Sequence, residues 1–203
     1  PASYDESSLG GNVAECAGGL HCKKYGVTRD YLIGLRAVTV DGEILKTGIY
    51  SDGDLFDLTM PLTGSEGLLA AITEIAVRLI EFDPPGPAIL AAFGRPEHAA
   101  AAVAEITRQG IVPAVMEYMD ADAIQCSINY EKALEIEKAA AVLLLETSGT
   151  NRIAEADRII DICRQNRAAL LIREDNQEKA ERIWKIRRNL SKAVKASAKY
   201  KIS

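Results

Sequence analysis

"FDPPGP", residues 82–87, marks the point at which the pattern of the sequence changes. Proline lacks a backbone N–H and fixes φ, so three prolines and a glycine within six residues are typical of a break in regular structure. Before this stretch the sequence has strands separated by loops, and after it strands alternate with helices. We therefore predict two domains, one over residues 1–86 and one over residues 87–203.

The N-terminal part contains three strand-like segments. "YLIGLRAVTV" and "EILKTG" are separated by Asp41-Gly42, a dipeptide that favours a hairpin turn. "AITEIAVRLI", residues 71–80, alternates with a period of two, which places Ile72 on one side of a strand and Ile75 and Val77 on the other. We predict an antiparallel or mixed sheet with loops over residues 1–86.

The C-terminal part has the order β-α-β, then a helical stretch near residues 120–138, then β-α-β. Its first crossover helix is well delimited, because it begins near Pro96 and ends at Gly110. This order predicts the ferredoxin-like split βαβ arrangement, a four-stranded sheet covered by helices, followed by a long helix over about residues 176–199. The predicted fold class is therefore α+β.

Composition excludes several classes of site. The chain has 203 residues, a net charge of −5 and two histidines, His21 and His98, too few for a zinc enzyme to draw its imidazoles from this segment. Its four cysteines fit neither a zinc ribbon nor a CxxC pair, and reduced thiols indicate a cytoplasmic protein. No apolar run approaches the roughly 20 residues that span a bilayer. We predict no metal site, no transmembrane segment and no nucleic-acid partner.

"GGNVAECAGG", residues 10–19, has four glycines in ten positions. Such a segment can bring backbone N–H groups close to a phosphate, which indicates an anionic cofactor. It can equally be a cluster of structural turns. It is neither the GxGxxG motif that opens a Rossmann helix nor a P-loop with GK[ST]. The residues by themselves leave both interpretations open.

Two longer blocks, "SSLGGNVAECAGGLHCKKYGVTRDYLIGLRAVTVDGEILKTG" and "LFDLTMPLTGSEGLLAAIT", resemble the second half of the FAD-binding domain of the vanillyl-alcohol oxidase flavoprotein superfamily. The similar branch holds the glycolate oxidase FAD subunit, D-lactate dehydrogenases and D-2-hydroxyglutarate dehydrogenase. Residues 87–203 resemble the ferredoxin-like cap domain of that branch. The resemblance implies FAD as cofactor and oxidation of a D-2-hydroxy acid, such as glycolate or D-lactate, to the 2-oxo acid by hydride transfer to the flavin.

The same resemblance implies which residues surround the flavin and its diphosphate. They lie in the glycine-rich segment, just after it and in the third strand: Ser7, Ser8, Gly10, Gly11, Asn12, Ala14, Glu15, Cys16, Gly18, Gly19, Gly26 and Ile72. The family often has Asn at the position of Cys16.

A basic helix near the C-terminus is the candidate substrate site. Residues 179–203 hold nine Lys or Arg and one acidic residue. Arg187 and Ser191 are four residues apart and share a helix face, where the guanidinium could bind a carboxylate and the hydroxyl could add a donor. A matching Trp-x-x-Arg helix in D-2-hydroxyglutarate dehydrogenase implies that Arg187, Ser191 and Lys201 bind the substrate carboxylate. The other interpretation is a solvated helix face.

The resemblance also implies what lies outside these residues. The first pyrophosphate loop of the family would precede residue 1, and its histidine-rich catalytic segment, with a divalent metal in some members, would follow residue 203. We therefore expect no catalytic residue in this segment, and an inactive fragment that binds FAD weakly or not at all. Electrons would pass to an iron–sulfur subunit, an electron-transfer flavoprotein or a quinone, with the enzyme cytoplasmic or peripheral to the membrane through a partner subunit. Two alternatives are a UDP-sugar enolpyruvate reductase and a non-catalytic binding module.

Overall fold

The computed structural model describes residues 6–53, 56–130, 136 and 139–197. Lys201 lies outside these ranges. The chain divides into two compact units, Pro1–Phe82 and Asp83–Ser203. Each unit has a sheet of its own, and each is described separately.

The first unit is built on a three-stranded antiparallel sheet with the order β2-β1-β3. Its strands are β1 (Leu32–Val38), β2 (Ile44–Lys46) and β3 (Ala71–Val77). Gly42 has φ +85 in the turn between β1 and β2, as the Asp41-Gly42 signal predicts. The predicted antiparallel sheet is confirmed.

A bulge in β3 changes the pattern of its side chains. Arg36 pairs with Glu74 and Ala37 pairs with Ile72, so Thr73 is the extra residue. Ile72 therefore packs against the same core as Ile75 and Val77. Strict alternation, which places Ile72 on the opposite side, is wrong at this point.

Three short helices lie in the segments predicted as loops of the first unit: α1 (Leu9–Ala14), α2 (Cys22–Tyr25) and α3 (Thr59–Leu62). Val13 of α1 is fully buried beside Leu35 and Leu62 in the unit's core. Burial of this side chain stabilises a helix that its two glycines disfavour.

The second unit is a four-stranded antiparallel sheet with the order β5-β6-β4-β7. Its elements follow along the chain as β4 (Pro85–Phe93), α4 (Pro96–Arg108), β5 (Val115–Asp120), α5 (Ala121–Tyr130), β6 (Ala141–Ser148), α6 (Arg152–Gln165), β7 (Ala168–Glu174) and α7 (Gln177–Ser197). With the later strand β6 inserted between β4 and β5, this is the split βαβ arrangement that the sequence predicts.

Helices cover both faces of this sheet. Alternate residues of the two central strands, such as Ile89 and Leu143, pack with Ile106 of α4 and Ile159 of α6. The opposite face is covered by α5 and α7, which also contact each other. This second face carries the side chains that face α7.

The prediction of a complete break at "FDPPGP" is wrong at its C-terminal end, because Pro85, Gly86 and Pro87 belong to β4. Pairing of β4 with β7 begins only at Ala88, so the missing N–H groups of the two prolines cost no bond to that strand. The register against β6 shifts between Pro85 and Ala88, which is a bulge. A Cβ on Gly86 would lie 2.5 Å from Thr147 Oγ1, so the close approach of the chain requires glycine there.

Candidate functional site

The glycine-rich segment forms the short helix α1 and the turns that follow it. Ser8 is the N-cap of α1, and its Oγ accepts a hydrogen bond of 3.0 Å from the N–H of Gly11. The N–H groups of Leu9 and Gly10 lie in the first turn, where a helix has no backbone acceptor for them. The N-terminal end of α1 therefore presents backbone donors.

The glycines predicted to surround the flavin differ in whether the protein's own packing requires glycine at their positions. A Cβ on Gly18 would lie 2.9 Å from Cys22 Sγ, and one on Gly26, whose φ is +78, would collide with the carboxylate of Asp30. Those two glycines are explained by packing and backbone conformation. A Cβ on Gly10 would meet no atom within 4 Å. Nothing in the described chain requires glycine at position 10.

The other predicted residues of this segment are held by its turns. Cys16 has φ +47, in the left-handed region, and its Sγ accepts from Arg29 Nε at 3.3 Å. The Gly19 N–H lies 2.8 Å from Cys22 Sγ. A cleft of about 200 Å³ in this unit is lined in part by Gly18, Gly19 and Gly26. Asn12 and Ala14 are half-buried, and Glu15, the C-cap of α1, is exposed.

In the second unit, Arg187 pairs with a residue of the sheet. Its Nε donates to Oε2 of Glu117, on β5, over 2.6 Å. The side chains of Arg187 and Glu117 are 35% and 23% exposed, so water screens the pair only in part. Among the described residues, Glu117 is the one hydrogen-bond partner of the guanidinium, and both Nη groups remain available.

The helix turn that carries Arg187 is fixed through its backbone. Ser127 Oγ, buried on α5, donates to the carbonyl oxygen of Ile186 over 2.6 Å. Ser191 is exposed one turn beyond Arg187, on the same helix face. The structure therefore brings Arg187 and Ser191 together as predicted, and Lys201 falls outside the described ranges.

Three carboxyl side chains lie on the sheet face beneath α7. Glu146 of β6 pairs with Ala88 of β4, which also pairs with Glu174 of β7, so both glutamates lie on one face of the sheet. On β5, Val115 pairs with Glu146, and Glu117, two residues further along the strand, lies on the same face. Arg182 of α7 donates to Glu174 over 3.1 Å. Glu146 is 8% exposed and forms no side-chain hydrogen bond or ion pair within the described ranges, and burial raises its pKa to about 7.

The rest of the basic helix is partly core and partly surface. Trp184 is buried, as expected of a core residue. Arg188 forms an exposed ion pair with Glu181 on the same helix, and Lys192 and Lys195 are exposed. Of the cations on α7, Arg187 and Arg182 bind carboxylates of the sheet.

Comparison with known families identifies both units. Residues 85–203 match the family described as FAD linked oxidases, C-terminal domain, and residues 1–48 match the family described as FAD binding domain. The chain belongs to the FAD-linked oxidases. FAD is the cofactor of this family, and the α+β fold with a ferredoxin-like second unit agrees with it.

Several relatives of this FAD-linked oxidase chain have names that state an activity. Glycolate oxidase subunit GlcD of Escherichia coli (strain K12) is 37% identical over 197 residues, covering 96% of this chain and 40% of the relative. The mitochondrial D-2-hydroxyglutarate dehydrogenase of Rattus norvegicus is 29% identical and covers 92% of this chain and 36% of its own length. A solved alkyldihydroxyacetonephosphate synthase shares the fold, with a TM-score of 0.68 at 20% identity, over 92% of this chain and 38% of that one. The chain thus spans about 40% of the length of the relatives it matches.

The described residues of the first unit fit an FAD-linked oxidase. Within the described ranges, the hydroxyls of Ser7 and Ser65 are buried and have no hydrogen-bond partner. Buried polar groups are normally satisfied, so two orphan hydroxyls indicate a missing polar partner. Ser65 lies in a loop whose neighbours bond to α1, because Gly64 N–H donates to the Val13 carbonyl oxygen and Glu66 N–H to that of Ala14.

The flavin roles implied for the other residues of the first unit stay predictions. Ile72 is half-buried against the core, so its side chain already has a structural role. Among the described residues, no group of three or more His, Cys, Asp or Glu is arranged to hold a metal ion. None of the described helices combines the length and apolarity needed to cross a membrane.

Ser65, Glu117 and Glu146 are not among the site residues that the sequence predicts. A signal for the two glutamates is present, because each lies within an otherwise apolar strand, "VMEYM" or "VLLLETS", and glutamate is depleted in strands. Nothing in the sequence indicates that Glu117 meets Arg187, 70 positions away.

Proposed function

We propose that the protein containing this chain oxidises a D-2-hydroxy acid, such as glycolate or D-lactate, to the corresponding 2-oxo acid, with FAD as the oxidant. Bound FAD would supply the hydride acceptor. The names of relatives that share 27% to 37% identity with the chain support this substrate class. In this chain, one observation carries the proposal: a half-buried arginine whose Nε is held by Glu117 and whose two Nη groups are available.

Arg187 would bind the substrate carboxylate through two parallel N–H···O bonds, the geometry that a guanidinium offers and an ammonium does not. The carboxylate of a 2-hydroxy acid is attached to the carbon that loses hydrogen. Fixing the carboxylate therefore limits the directions in which that C–H bond can point. Ser191, one turn further along α7, would add a hydroxyl donor to the same carboxylate, and Lys201 a further positive charge.

The flavin would lie along the glycine-rich segment. Gly10, which packing leaves unconstrained, would allow the backbone to approach the diphosphate, and the orphan hydroxyls of Ser7 and Ser65 would find acceptors on the cofactor. Ser8, Gly11, Asn12, Ala14, Glu15, Cys16, Gly18, Gly19, Gly26 and Ile72 would complete the cradle. The proton acceptor would lie outside residues 1–203, as the family resemblance implies.

Electron transfer to a partner extends the same proposal. The name of one relative, glycolate oxidase subunit GlcD, states that it is a subunit, which supports assembly with other chains. An iron–sulfur subunit, an electron-transfer flavoprotein or a quinone would accept the electrons. We propose a cytoplasmic protein, or one held at the membrane surface by its partner.

The test is the replacement of Arg187 in the flavin-loaded, full-length protein. Arg187→Met should lower kcat/KM for the hydroxy acid by roughly 30-fold or more, because a charge-assisted hydrogen bond contributes on the order of 2 kcal/mol or more. Arg187→Lys should recover part of this loss. Arg188→Met, an exposed arginine on the same helix, is the control and should leave kcat/KM within about twofold.

Flavin absorbance should show the same FAD content in all of these variants, because Arg187 lies in the second unit and the flavin cradle in the first. If Arg187→Met turned over hydroxy acids as well as the unchanged protein, Arg187 would not bind the substrate carboxylate.

A further inference from the structure

The ion pair between Arg187 and Glu117 determines which edge of the guanidinium faces outward. Glu117 contacts Nε through one oxygen at 2.6 Å. A guanidinium has five N–H donors, one on Nε and two on each Nη, and it can bind a carboxylate through its side edge or through its end. With Nε occupied, the side edge is blocked. The end edge, Nη1 and Nη2, forms no hydrogen bond with the described residues.

The environment of this pair differs from that of the other ion pairs in the chain. Both partners are partly buried, and Glu117 is anchored in a strand of the sheet. The neighbouring pair of Arg188 with Glu181 joins two residues of the same helix, 42% and 48% exposed. Pairs that water surrounds contribute little to structure, whereas a partly desolvated pair can hold a side chain in one orientation.

The backbone beneath Arg187 is held as well. The buried hydroxyl of Ser127 bonds to the carbonyl oxygen of Ile186, the residue that precedes Arg187. Glu117 therefore acts on a side chain whose Cα is already fixed against α5. The remaining freedom lies in the side-chain torsions of Arg187, and the bond to Glu117 removes most of it.

We infer that Glu117 is a positioning residue for Arg187: it takes the Nε–H of the guanidinium and directs Nη1 and Nη2 toward the carboxylate of the substrate. This inference rests on the proposed function and extends it to a residue that does not touch the substrate. Its consequence is that loss of Glu117 weakens substrate binding even though a negative charge near the site is removed.

The test compares two substitutions in the flavin-loaded, full-length protein. Glu117→Ala removes the acceptor and should raise KM for D-lactate or glycolate roughly tenfold, with a smaller change in kcat. Glu117→Gln keeps an oxygen acceptor for Nε without the charge, and its KM should stay within about threefold of the unchanged protein. Glu181→Ala, which breaks the exposed pair on the same helix, is the matched control and should leave KM unchanged.

A binding measurement separates positioning from stability. Pyruvate, a 2-oxo acid of the product class, should bind about tenfold more weakly to the Glu117→Ala protein in calorimetry at a temperature where that protein is fully folded. In the Arg187→Met background, Glu117→Ala should change KM by less than about twofold, because the effect passes through Arg187.

Each outcome decides between the two proposals. If Arg187→Met has no effect on KM, the proposed carboxylate site itself fails. If Arg187→Met raises KM but Glu117→Ala does not, or lowers it, Glu117 is a competitor or a structural partner and the inference is wrong. A fall in thermal stability of Glu117→Ala with unchanged pyruvate affinity would also overturn it.

Discussion

Glu146 makes the stability of the second unit depend on pH in an unusual direction. It is 8% exposed on the sheet face that α7 covers, and burial raises its pKa to about 7. The charged groups on that face are paired elsewhere: Glu117 with Arg187, and Glu174 with Arg182. Glu146 is therefore neutral in mildly acidic solution and must become a buried anion, without a cation partner among the described residues, at alkaline pH.

The sign follows from proton linkage. A glutamate in the unfolded chain has a pKa of about 4.3, so between pH 4.3 and 7 the folded protein holds a proton on Glu146 that the unfolded protein has released. Stability is therefore lost as the pH rises through this range and changes no further above it. A difference of about 2.7 pKa units corresponds to about 3.7 kcal/mol, which is an upper value because water can reach a buried carboxylate.

The perturbation is Glu146→Gln, which keeps the shape of the side chain and cannot ionise. At pH 4, below the pKa of a glutamate in the unfolded chain, the variant and the unchanged protein should differ by less than about 0.5 kcal/mol. At pH 8 the variant should be more stable by about 1 to 3 kcal/mol, because the penalty of the buried anion is gone. The difference between the two proteins isolates Glu146 from every other titrating group.

Urea unfolding followed by tryptophan fluorescence measures this directly, because Trp184, the single tryptophan, lies in the second unit on α7. Glu178→Gln, at an exposed position at the start of the same helix, is the control and should change stability with pH by less than Glu146→Gln does, because water surrounds this side chain. If the stability difference for Glu146→Gln were the same at pH 4 and pH 8, the carboxyl would not be desolvated and the reasoning would be refuted.

Three further predictions concern the glycine-rich segment and Gly26, which follows it. Gly26→Ala should destabilise the first unit by about 1 kcal/mol or more, because φ is +78 and the new Cβ meets Asp30, and hydrogen exchange measures this loss. Gly10→Ala should leave the stability of the unit unchanged by the same measurement. It should lower the FAD content of the full-length protein, which flavin absorbance measures. Cys16→Asn should raise the stability of the first unit by about 0.5 kcal/mol, since Asn tolerates φ +47 better than Cys does; lower protection of the α1 amides in the variant would contradict this.

The fold of the second unit was predictable because its signals are local. Pro96 is at the start of α4, Gly110 follows its end with φ +69, and the apolar runs of β4 and β6 are long enough to identify buried strands. Where these local rules fail, the cause is a tertiary contact between strands. Pro85 and Gly86 read as a break, yet they extend β4 past the end of its pairing with β7, where a missing N–H costs nothing.

In the first unit, local sequence rules likewise fail to predict the helix α1. Two glycines in six residues argue against a helix by roughly 1 kcal/mol each. The helix forms because Ser8 caps it, Val13 is buried in the core and the loop around Ser65 bonds to its last carbonyls. Only the cap is visible in the sequence, since the other two contacts depend on residues about 20 or more positions away.

Arg187 shows why a candidate site can be found from sequence while its geometry cannot. Helical spacing places Arg187 and Ser191 on one face, and a family resemblance adds a role, but a solvated cation and a substrate-binding cation have the same spacing. The two are distinguished by burial and by the partner. Arg188, the next residue, is exposed and pairs with Glu181, two turns earlier on its own helix. Arg187 pairs with Glu117 of β5, and that contact exists only when α7 packs on the sheet. The proposed substrate-binding role of Arg187 thus depends on a tertiary contact, and substitution of Glu117 tests that dependence.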